Sequence, residues 1–145
     1  MRITIVEPAP GEEEEIIVKC RDIDDDFMQV LNLLRQGGKK INGYKDGNIY
    51  PIDLAEVYYF EAVDQKVFAY CKREVFEIKS RLYELETTLP PKKFLRASKS
   101  MILNLGRVKH LSPAFSGRFE AELKNGEKVI ISRQYVPELK RKLDL

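Results

Sequence analysis

Phe94-Leu95-Arg96-Ala97-Ser98-Lys99-Ser100-Met101-Ile102-Leu103-Asn104-Leu105 carries two apolar runs around a polar corner. It predicts strands near 94–97 and 101–104 with Ser98-Lys99-Ser100 between them. If Leu95 and Ala97 face inward, Arg96 faces out. A later stretch, Val129-Ile130-Ile131-Ser132-Arg133-Gln134-Tyr135, follows the same plan. In both, cationic and amide side chains stand at the ends of short apolar strands, where they can leave the core and meet a polyanion.

The charge distribution agrees. The 145 residues carry a net charge of only +2, but unevenly. Residues 1–40 hold six Lys/Arg against nine Asp/Glu, and residues 41–91 repeat that balance. Residues 92–145 hold thirteen against five, so the positive excess lies in the last third. Clustered Lys/Arg is the electrostatic footprint of a phosphate-binding face, although a solvated basic surface has the same composition.

Outward from these stretches the pattern is mostly β. Asp46-Gly47 between extended flanks and Asn125-Gly126 between 119–123 and 128–132 are hairpin signals. Val57–Ala62, Lys66–Cys71, Val75–Ile78 and Val108–Leu111 read as strands, and Val63-Asp64-Gln65 as a polar tip. Leu82, Leu85 and Leu89 give a helical period stopped by Pro90-Pro91. At the C-terminus, Ser132 can cap a helix whose Val136, Leu139 and Leu143 face the core. Asn104 reads as a structural turn residue, and Tyr58, Tyr59 and Phe60 as core.

Residues 1–40 predict a separate strand–strand–helix unit. Arg2–Val6 and Glu15–Cys20 read as strands around Pro8-Ala9-Pro10-Gly11. Phe27, Val30, Leu31 and Leu34 mark one helical face, with Asp24, Asp25 and Asp26 at its positive end and Gly37-Gly38 closing it. This unit is either a dimerisation or sensing element or an extension of the same β core. Cys20 and Cys71 lie in apolar runs and predict buried free thiols. No run approaches the ~18 apolar residues of a membrane span, and Met1-Arg2-Ile3 opens into a strand, so a cytoplasmic location is expected.

Residues 41–145 resemble the LytTR-type DNA-binding domain of bacterial transcriptional regulators. The landmarks run in order: Ile52–Glu61, the helix ending Leu89-Pro90, Phe94–Ser100 with Ile102–Leu105, Gly117-Arg118-Phe119, Asn125-Gly126 and Ser132–Tyr135. The resemblance implies packed antiparallel sheets and a binding mode in which inter-strand loops enter successive major grooves. Many members place a receiver domain ahead of this module, where this chain has its short N-terminal unit. Ser98 stands where the family's central motif often has His.

Three loops then supply candidate DNA contacts. Gln65 offers an amide for adenine and Lys66 a cation for guanine or phosphate, unless the tip is an ordinary polar turn. Arg96, Ser98, Lys99 and Ser100 form the second group, in which Arg96 is alternatively an ion-pair partner for Glu84 or Glu86. Arg133 and Gln134 form the third, at a strand-to-helix junction. The expected function is a sequence-specific, double-stranded DNA-binding regulator, acting as a homodimer on repeated half-sites, with a further regulatory partner open. Neither a catalytic activity nor a cofactor is expected, because the sequence has no Walker loop, GxGxxG, nucleophile elbow or zinc-ligand spacing. His110, the one histidine, would have to pair with Cys71 to form a dyad. A protein-interaction module and an RNA or single-strand binder are the other readings. The latter needs exposed aromatics among Phe94, Phe115, Phe119 and Tyr135.

Overall fold

The computed structural model describes residues 2–36 and 39–145. The chain divides into two compact units, Met1–Arg35 and Gln36–Leu145.

In the second unit the period-2 patterns become ten antiparallel strands. Seven form one sheet: β1 (Lys40–Lys45), β2 (Asn48–Asp53), β3 (Tyr59–Val63), β4 (Lys66–Tyr70), β5 (Val75–Ile78), β6 (Phe94–Ser98) and β7 (Met101–Asn104), in the order β2-β1-β5-β4-β3-β7-β6. A second sheet, in the order β10-β9-β8, contains β8 (Val108–Pro113), β9 (Phe119–Leu123) and β10 (Lys128–Ile131). Asp46 and Gly47, with φ of 50° and 78°, make the predicted tight turn between β1 and β2.

Alternation along the central strands sends their side chains into two cores. Phe60, Val67, Ala69, Phe94 and Ile102 face one way and pack with Leu82, Leu85 and Leu89 on and beside helix α2 (Leu82–Thr88). Tyr59, Leu95, Ala97 and Leu103 face the other way, against Ala121, Leu123 and Ile131 of the small sheet and Leu139 of helix α3 (Val136–Lys142). Because β3, β6 and β7 are buried on both faces, consecutive residues such as Tyr58, Tyr59 and Phe60 are all core.

Asn104 joins the layers. It is 3% exposed, donates through Nδ2 to the Val57 carbonyl at 2.7 Å and accepts through Oδ1 from the Gly106 amide at 2.9 Å. Its structural role is as expected. Tyr59 donates to Glu127 Oε1 at 3.0 Å, pinning the β9–β10 turn. Burial first, and then that carboxylate, hold the phenol above its usual pKa.

The N-terminal unit differs from expectation. Helix α1 (Asp25–Gln36) forms, and Asp24 Oδ1 caps the Phe27 amide at 2.9 Å. The proposed stop at Gly37-Gly38 lies outside the described residues. The two expected strands, 2–6 and 15–20, are absent among the described residues. The cause lies in their connection: Ala9-Pro10-Gly11-Glu12 closes a turn through Glu12 N to Ala9 O at 3.0 Å, with Gly11 at φ 89°. Proline followed by a left-handed glycine is a type II pattern, which splays the flanking strands instead of twisting them together. Ile3, Ile5, Val6, Ile16, Ile17 and Val18 are left exposed, and so is Cys20, against the expectation of a buried thiol.

Candidate nucleic-acid interface

The first turn, Asp64-Gln65, joins β3 to β4 with both residues left-handed, at φ 50° and 65°. That I′-like geometry holds Gln65 exposed at the tip. Lys66 follows, exposed, 3.5 Å from Glu77 Oε1. Lys79 donates a hydrogen bond to the same carboxyl; that bond, joined by the charges of Lys79 and Lys66, holds Glu77 below the usual carboxylate range.

The second turn is bonded to the first. Antiparallel pairing of β3 with β7 continues through Ala62 N to Ser100 O at 2.8 Å, so the 64–65 and 98–100 corners adjoin at one end of the sheet. Ser98 Oγ accepts from the Ser100 amide at 3.2 Å and lies 3.3 Å from Ser100 Oγ, leaving Lys99 exposed at the apex.

Arg96 is turned to a different use. It pairs with Glu86, donates from Nε to the Ser98 carbonyl at 2.7 Å and donates to the Lys99 carbonyl. Of the two roles open to it, the ion pair with an α2 glutamate is the one that forms. Its guanidinium is bonded into the corner that carries Lys99.

The third turn is bonded to the second, since Ser132 N donates to Ala97 O at 2.8 Å. Arg133 and Gln134 are exposed immediately after it. Ser132 forms no side-chain cap, and a 3-10 turn, Arg133–Tyr135, precedes α3. The expected capped helix start with amides aimed outward is therefore not what displays Arg133. Leu143, expected in the core, is 39% exposed.

Sequence reasoning missed a fourth loop. Pro113 and Ile131 both pair with Phe119, so residues 114–118 stand beside Ser132 at this same end. A Cβ on Gly117 would lie 2.9 Å from Arg133 Cδ, which shows how closely the arginine stem lies over that glycine. Arg118 is exposed, and Phe115 is 88% exposed. A phenylalanine set among proline, serine and glycine was the available signal.

The four turns thus share one end of the packed sheets, presenting Lys66, Lys99, Arg118 and Arg133 with the amides of Gln65 and Gln134. A cavity of about 570 Å³ lies elsewhere, beside Tyr50, Tyr58, Cys71 and Arg107. Burial first, then Glu56 and Glu74 against Arg107, push the Cys71 thiol up to about 11, the opposite of an activated nucleophile. His110 lies 2.8 Å from Glu122, its neighbour across the β8–β9 pairing. Among the described residues no His/Cys/Asp/Glu group is arranged to hold a metal ion, and no helix is long and apolar enough to cross a membrane.

A family model of the LytTr DNA-binding domain matches residues 47–144. The chain belongs to the LytTR family. Its fold agrees: a solved LytTr DNA-binding domain from Bacillus cereus superposes with a TM-score of 0.70 at 26% identity, covering 74% of this chain and 98% of that one. Two relatives from Staphylococcus aureus strains NCTC 8325 and MSSA476, named as uncharacterised HTH-type transcriptional regulators, are each 29% identical across 100% of this chain and 99% of their own length. In this LytTR protein α2 and α3 are separated by five strands, so they do not form a helix-turn-helix. The likeness to the staphylococcal proteins also runs through the N-terminal unit, ahead of the residues that the family model matches.

Proposed function

We propose that this LytTR protein is a sequence-specific transcriptional regulator that reads double-stranded DNA through its inter-strand turns. The observation that carries the reading is the gathering of four polar, cation-bearing turns at one end of rigid sheets. Lys66, Lys99 and Arg118 supply phosphate contacts, with Ser98 and Ser100 hydroxyls beside Lys99. Gln65, Arg133 and Gln134 carry the groups suited to base edges. Arg96 acts indirectly, holding the Lys99 corner in shape. The single-strand reading lacks support: of the four aromatics it drew on, Phe94 is buried, Phe119 and Tyr135 are partly buried, and Phe115 alone does not make a stacking platform.

The direct test is selection of bound fragments from random duplex DNA, followed by affinity measured against salt. Wild-type protein should enrich a defined motif. Lys99→Ala should weaken all duplexes alike and lower the salt slope by about one unit. An unchanged slope would remove Lys99 from the phosphate contacts.

Two copies acting on repeated half-sites complete the proposal, with the N-terminal unit as the joining element. Ile5 is 93% exposed, and Ile16, Val18 and the α1 residues Val30 and Leu34 are also open. Two arms splayed by a type II turn keep their strand edges free for pairing with a second copy, which would bury side chains that no described residue of the unit covers. Ile5→Lys with Ile16→Lys should abolish self-association in sedimentation and cooperative binding to paired half-sites, while a single half-site binds as before. Dimers that persist in that variant would move the interface elsewhere.

A further inference from the structure

Phe115 is the exposed aromatic least explained by the fold. Its loop is held on three sides: Ala114 N donates to Arg118 O at 2.8 Å, Arg118 Nε donates to Phe115 O at 3.1 Å, and the Arg133 stem lies over Gly117. Ser116 adopts φ 60°, ψ 36°, a left-handed conformation that non-glycine residues rarely take. Such constraint is unexpected if the ring merely trails in solvent. Exposing a large apolar ring in a loop that carries Arg118 and adjoins Arg133 has a hydration cost that a ligand surface would recover.

We propose that Phe115 is an apolar specificity reader, docking its ring against the 5-methyl group of a thymine next to the base contacted by Arg133. This rests on the duplex-reading function proposed above. In the major groove, thymine is distinguished by that methyl, and phenylalanine is a side chain suited to contact it. The Arg133 stem lies against Gly117, two residues from Phe115, so the polar and apolar contacts would fall at neighbouring positions. A side chain at residue 117 would push them apart.

The test uses the full chain and the motif enriched by selection. A series of duplexes replaces each thymine in turn with deoxyuridine, which removes only the methyl. Wild-type protein should lose about fourfold in affinity at one position, the effect of one apolar carbon returned to water. Phe115→Ala should bind the thymine duplex more weakly by at least that factor and be indifferent to the substitution there. Its thermal unfolding should be unchanged, since the ring is exposed. The proposal is overturned if Phe115→Ala binds like wild type, or if both proteins lose the same factor at every deoxyuridine. If either occurs while Arg133→Ala still loses selection, the DNA-reading function stands and only the role of Phe115 falls. A wild-type protein that selects no motif would overturn both.

Discussion

Arg133→Ala should reduce affinity for the selected duplex roughly 5- to 150-fold, the range expected for one good bidentate base contact. Its preference at one base position should be lost at the same time. The expectation follows from where the guanidinium is held. The Arg133 stem lies over Gly117, and the residue before it is bonded to the end of β6 through Ser132 N to Ala97 O, so the head group starts from a fixed point. Little ordering entropy then offsets the contact. Gln134→Ala should cost less and relax an adjacent position. Neither variant should move the urea unfolding midpoint, because both side chains are exposed. Wild-type selection by Arg133→Ala would remove this turn from the interface and leave the family membership untouched.

Asn104→Ala should have the largest effect on the fold, lowering unfolding free energy by about 2–4 kcal/mol. Truncation leaves the Val57 carbonyl and the Gly106 amide without the partners they have now, one buried and the other partly so. Replacing both partners is impossible, since they are main chain, so no second substitution restores the balance. Urea denaturation measures the loss directly, and the folded fraction should still bind DNA with wild-type preference. A loss below about 0.5 kcal/mol would mean that water or a shifted backbone takes over both bonds.

Local signals were legible in the sequence wherever the relevant interaction is local. Asp46-Gly47 turns where its two left-handed residues allow it. Pro90-Pro91 ends α2 because the proline rings cannot continue a helix. Asp24 caps α1 three residues ahead. The central strands were also readable, since β-branched and aromatic runs buried on both faces need no alternation. The order of landmarks from Ile52 to Tyr135 was enough to point to the LytTR family.

What the sequence misread or left open has one physical cause: it turned on a partner elsewhere in the chain, or on the twist of a turn. Arg2–Val6 and Glu15–Cys20 have strand composition, but a strand exists only as half of a ladder, and the Pro10-Gly11 turn has the wrong twist to close one. Arg96 faces outward as its alternation required. Whether it meets solvent or Glu86 depends on where α2 packs after the turn at Pro90-Pro91, which local sequence does not disclose.

The amino-acid order by itself determined the strands of the 41–145 region, its two tight hairpins, its helices and its family. Those depend on side-chain shape, backbone freedom and periodicity within a few residues. Only the tertiary structure decided that residues 64–66, 98–100, 114–118 and 132–134 end up together, because their proximity is set by ladder hydrogen bonds and inter-sheet packing between segments up to seventy residues apart. A surface able to meet a duplex is therefore a property of the packed sheets and of no single turn.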